Sequence, residues 1–186
     1  MNSIRPNCRS ARRLAMAVAV LGMFVTAANA QQLPVPSAGV VPDVPGATDK
    51  PDPSRSYRLA FDVKSMPSTA DAVSPALMGI ARLINTYRAQ GVPADHIEAT
   101  AVFHGPTIVL VTRDETYRNR TGAKANPNVS LLKELAAAGV KMVICGVSAR
   151  NQNYTAADLL PQAHLNLSAT TTFIDLQSQG YVKVER

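Results

Sequence analysis

Val140-Lys-Met-Val-Ile-Cys145, running on into Gly146-Val147-Ser148-Ala149-Arg150, is the stretch that decides the fold. Its apolar residues are nearly continuous, the pattern of a strand covered on both faces inside a parallel sheet. A cysteine ends the strand and a glycine turns the chain. That placement presents a sulfur at the sheet's edge, or else buries it there as a small hydrophobe.

Upstream, Asn126-Pro127-Asn128 introduces Val129, Leu131, Leu132 and Leu135, the apolar stripe of a helix with Asn128 as cap and Gly139 as terminator. Before it, His96 to Phe103 alternates Ile97, Ala99, Ala101 and Phe103 on one face, and His104-Gly105-Pro106 breaks this strand. Thr107 to Thr112 is β-branched but follows a three-residue loop, so its periodicity fits a strand or a tight turn into a helix. Val73, Ala76, Leu77, Ile80, Leu83, Ile84 and Tyr87 recur at helical steps, with Ser74 as cap and Pro75 at the first helical position. Tyr57 to Val63 alternates Tyr57, Leu59, Phe61 and Val63, a strand with one face less buried than the other.

Downstream, a short helical piece spans Thr155 to Leu160. Ala169 to Gln179 reads as a helix with Phe173, Ile174 and Leu176 inward, and Tyr181 to Val184 as a last strand. Strands alternating with helices imply an α/β three-layer sandwich, a mainly parallel sheet with helices on both faces. In such sheets ligands gather outside the carboxyl ends of the strands. Two polar-ended strands finish there, at His104 and at Cys145, so an imidazole and a thiol share a rim if those strands are close.

Arg5, Arg9, Arg12 and Arg13 precede the apolar stretch Leu14 to Ala28, and Ala28-Asn29-Ala30 is a cleavage pattern. Residues 1–30 read as a secretory signal peptide cut before Gln31, which places the mature chain in the periplasm with no membrane anchor. Arg12-Arg13 forms a twin-arginine pair whose flanks fit that export signal poorly. Cleavage lowers Lys+Arg from 19 to 15 against 13 Asp+Glu, so the formal charge drops from +6 to +2. Nothing in that balance points to nucleic acid. Cleavage also removes Cys8, leaving Cys145 alone and no intramolecular disulfide. Residues 31–56 carry Pro34, Pro36, Pro42, Pro45, Pro51 and Pro53 without apolar periodicity and read as a flexible linker with nothing to bury. The folded domain is then residues 57–186.

The chemistry centres on Cys145. A strand end leading into a helix offers unpaired N–H groups to a thiolate and lowers its pKa. His104 is a candidate base or donor to that thiolate. Gly146 and Ser148 are candidate ligand contacts, and Arg150 a candidate holder of an anionic sulfur species. His96, His104 and His164 lack metal-ligand spacing, and no cofactor motif is present, so no metal or cofactor is expected.

Several of these stretches together resemble the DsrE/DsrF-like family: Ala101-Val-Phe-His-Gly105, Asn126-Pro-Asn128 leading to Leu131 through Gly139, Val140 through Ser148, and Phe173 through Tyr181. The resemblance implies a small α/β sandwich that assembles into trimers or hexamers, with residues 107–113 helical. It implies that a cysteine at the position of Cys145 carries a persulfide and hands sulfur to a partner protein. His104 matches a common family histidine. The expected function is periplasmic sulfur binding or transfer through Cys145; the alternative is an oligomeric binding module in which Cys145 only packs.

Overall fold

A computed structural model describes residue 1, residues 33–42 and residues 44–186. The signal peptide assigned to residues 1–30 lies outside the described residues, Met1 apart.

Five parallel strands form one sheet: β1 (Tyr57–Val63), β2 (Ile97–Phe103), β3 (Val140–Cys145), β4 (Ala163–Asn166) and β5 (Val182–Glu185). Their order across the sheet is β4-β3-β2-β1-β5. The first four therefore step in one direction, and the last connection returns the chain to the far edge. Every pairing is parallel, so the mainly parallel expectation holds throughout.

The side chains of each strand alternate between two different layers. Leu59, Phe61, Val63, Ala101, Phe103, Met142 and Ile144 face the main core, packed against α1 (Pro75–Ala89) and α3 (Val129–Ala137). Ala60 and Val102 face the other way, under α5 (Ala169–Ser178), with Phe173 and Tyr181. Both faces of β1 are buried from Leu59 to Val63, which corrects the reading of one less buried face. Helix α1 starts as its sequence demands: Ser74 caps it by accepting from the Leu77 N–H at 3.4 Å, with Pro75 at the first position.

Asn128 does not cap α3 with its side chain. Its Oδ1 accepts from the Ser74 N–H at 2.8 Å, while Asn126 Nδ2 donates to the carbonyls of Leu110 and Thr112. The Asn-Pro-Asn segment thus ties α1, α3 and the turn after β2 together. Buried backbone groups that lack a ladder partner are satisfied this way, by short amides.

The ambiguous stretch after β2 forms a 3-10 helix, Gly105–Val111, with Thr107 to Val111 buried, so it is helical through Val111 as the family resemblance implied. Two elements have no counterpart in the sequence expectations. Helix α2 (Asp114–Thr121) occupies a segment with little apolar content, held by the one buried side chain of Tyr117, whose hydroxyl donates to the Ala70 carbonyl. Strand β4 is short and largely exposed, without an apolar run to announce it. In α5, Phe173 points inward but Ile174 is exposed.

The proline-rich segment also departs from expectation, because its first part is seated on the domain. Val35 is fully buried, and its N–H and carbonyl both bond to the side-chain amide of the buried Asn85 on α1. Ser37 donates to Glu134 on α3 from its N–H and its hydroxyl. Burying a valine is worth about 1.5–3 kcal/mol, enough to seat a segment whose prolines already restrict its freedom.

Candidate functional site

The carboxyl rim of the sheet carries the reactive groups. Cys145 is the last residue of β3 and the cap of α4 (Gly146–Asn151). Its parity along the strand is that of Val143, which pairs with Val102, so the sulfur stands on the α5 side. There it meets the starts of two helices. The Ser148 N–H of α4 points at Sγ from 3.4 Å. The neighbouring Val147 N–H donates to the Leu167 carbonyl at 3.1 Å, and α5 begins just beyond that contact at Ala169.

Burial, with only 6% of the residue exposed, pushes the thiol pKa up. The Ser148 hydroxyl and the N–H groups of Ser148, Ala169 and Val147 pull the other way and together prevail. The thiol is therefore held below its ordinary value. Donors directed at a sulfur stabilise its anionic form. These donors favour the anionic form of a sulfur that lies almost wholly out of solvent.

Gly146 has a different role from the one its sequence position proposed. A Cβ at Gly146 would lie 2.5 Å from the Asn166 carbonyl oxygen and 3.3 Å from that of Leu167. The space a side chain would take is filled by backbone at the end of β4, not left open to a ligand. The Val147 N–H donates to the Leu167 carbonyl at 3.1 Å, and Asn166 Nδ2 donates to Thr172 Oγ1 at 2.8 Å. These contacts clamp the β4–α5 turn onto α4, and so set the start of α5 beside the strand end that carries the sulfur.

His104 follows β2 in extended backbone. Phe103 pairs with Ile144, so one further step along both strands sets His104 beside Cys145. Its ring, however, bonds across to β1: Nε2 lies 2.7 Å from Oδ1 of Asp62. No hydrogen bond joins the ring to Sγ. Arg150 sits exposed in the last turn of α4, the end away from the sulfur, and is not brought to it.

Asp62 is the residue that the sequence reading missed. Only 2% exposed, it accepts from His104 and from Lys183 Nζ at 2.8 Å, with Lys64 Nζ at 3.5 Å. Burial pushes its pKa up, but the bonds from Lys183 and His104 and the Lys183 charge outweigh that and hold it below the usual carboxylate range. One signal was present in the sequence: a single charged residue inside the apolar run Leu59-Ala-Phe-Asp-Val63 needs a partner if the strand is buried. Which partner, no local pattern tells. Among the described residues, no group of three His, Cys, Asp or Glu side chains is arranged to hold a metal ion.

Comparison with known proteins bears on the fold. The model of the DsrE/DsrF-like family matches residues 47–184. Among solved structures, the chain is similar to MTH1491, a protein of unknown function from Methanobacterium thermoautotrophicum, with a TM-score of 0.51 and 17% identity. That likeness covers 70% of this chain and 100% of the other, and at such identity it is one of fold. No curated protein matches the chain.

Proposed function

Because the chain belongs to the DsrE/DsrF-like family, we propose that it is an exported persulfide carrier with Cys145 as the acceptor thiol. The observation that carries this reading is the sulfur's position at the strand end, where it accepts from the Ser148 N–H at 3.4 Å beside the start of α5. A thiolate is the nucleophile in sulfur exchange. Cys145–S⁻ attacks the outer sulfur of a donor R–S–SH; one S–S bond forms, another breaks, and R–S⁻ leaves with no net oxidation. A second thiolate then attacks the outer sulfur of Cys145–S–SH, takes it as its own persulfide, and restores Cys145–S⁻. The same donors that hold the thiolate stabilise it again as leaving group.

The family also favours assembly into trimers or hexamers, and the amino-terminal segment favours a periplasmic site of action. The near-complete burial of Cys145 supports a second reading, an oligomeric binding module in which the thiol only packs. One experiment separates the two. The purified protein is incubated with a small-molecule persulfide donor, and its intact mass is measured. The carrier gains one sulfur atom on wild type and none on Cys145→Ser; equal gain on both, or none on either, sinks the proposal.

A further inference from the structure

Asp62, His104 and Cys145 stand on one face of three neighbouring strands, and the first two are joined by the 2.7 Å bond. An ionised carboxylate only accepts. The bond therefore places the proton of a neutral imidazole on Nε2 and leaves the lone pair on Nδ1. Asp62 is locked in place by Lys183 from β5 and Lys64 from the loop after β1, and Lys64 is shared with Glu185 of β5 at 2.6 Å. Among the described residues, the charged and titratable groups around the pair are these, the thiol on β3 and Arg186, whose N–H donates to the Asp62 carbonyl. Unlike Asp62, whose side chain is 3% exposed, the His104 side chain is 32% exposed, so a small donor's sulfur can reach the ring.

Resting on the carrier reading of Cys145, we propose that His104 shuttles the proton of the sulfur step and that Asp62 is the positioning residue that keeps it in the working tautomer. His104 takes the thiol proton at Nδ1 and so generates the Cys145–S⁻ that attacks R–S–SH. The donor's S–S bond breaks while the new one forms, and the imidazolium gives its proton to the departing R–S⁻. The products are Cys145–S–SH and R–SH, with His104 neutral again and no oxidant needed. The ring has no bond to Sγ in the free protein, and catalytic contacts of this kind tighten when a substrate arrives.

The test is the pH dependence of Cys145 alkylation by iodoacetamide in wild type, His104→Gln, Asp62→Asn and the double variant. Asparagine has the shape of aspartate, but its amide donates to Nε2, turns the proton to Nδ1 and removes the acceptor there. Each single variant is expected to slow alkylation at neutral pH on the order of tenfold to a hundredfold. The double variant should be no slower than the slower single, as two parts of one device. An Asp62→Asn profile superimposed on wild type, or effects that multiply in the double variant, overturns the proposal. Should Asp62→Asn not fold, nitrogen NMR of wild-type His104 decides: a proton on Nε2 is expected, and a proton on Nδ1 overturns it. Neither measurement uses a sulfur donor. A coupled profile in a protein that takes up no sulfur defeats the carrier reading alone, and sulfur uptake without coupling defeats the shuttle alone.

Discussion

The two faces of the sheet share the same strands and do different work. Toward α1 and α3 the strands present Leu59, Phe61, Val63, Phe103, Met142 and Ile144, all large and apolar. Toward α5 the same strands present Ala60, Asp62, Val102, Cys145 and Lys183, which are small, charged or reactive. Helices α1 and α3, the Gly105–Val111 turn and single side chains of α2 and α4 cover the first face, and α5 covers the second. Stability is concentrated where side chains are large and water is excluded. The thinner layer has room for groups that must meet a reactant, and it has the start of a helix to direct donors at them.

Truncating the thick face should cost the most. Phe103→Ala is expected to destabilise the fold by about 3–5 kcal/mol, read from the urea midpoint, while the pH profile of Cys145 alkylation keeps its shape. A changed profile in a still-folded variant would mean that the two faces are not separable.

Gly146→Ala should have an intermediate effect and strike the thin face. Its Cβ would press on the Asn166 carbonyl from 2.5 Å, and backbone cannot step aside as a flexible side chain does. A loss of about 1–3 kcal/mol is expected. The shifted β4–α5 turn should draw the Ala169 N–H from the sulfur, so that the thiol pKa rises and alkylation at neutral pH slows. Destabilisation with an unchanged alkylation profile would separate Gly146 from the thiol.

Acid should produce the smallest effect. The carboxyl of Asp62 is held below its unfolded value, so its contribution is full above an unfolded pKa of about 3.9 and fades as pH falls through the lower folded value. Comparing urea midpoints at neutral and strongly acid pH, wild type should lose more stability than Asp62→Asn. Equal losses would show that the carboxylate does not stabilise the thin face.

Periodicity carried much of the fold. Strands β1, β2 and β3 and helices α1, α3 and α5 announce themselves because each buries a regular set of apolar residues. Helix α2 and strand β4 do not. Tyr117 is the only buried side chain of α2, and Ala163–Asn166 is a partly polar edge strand, so neither leaves a repeating pattern. Of the site, Cys145 was legible as a strand-end thiol and His104 as a strand-end imidazole. Their surroundings were not. Lys183 meets Asp62, and Ala169 meets Cys145, across long stretches of chain.

The sequence by itself determined that an α/β domain would form and that one thiol would end its most apolar strand, because burial periodicity and turn residues act within a few positions. The tertiary structure alone decided the strand order, the turning of His104 toward Asp62, and the pairing of two helix starts at the sulfur. Each of those depends on which distant segments the sheet brings side by side. Backbone N–H groups, present in nearly every residue, become a thiolate site only where packing directs several of them at one atom.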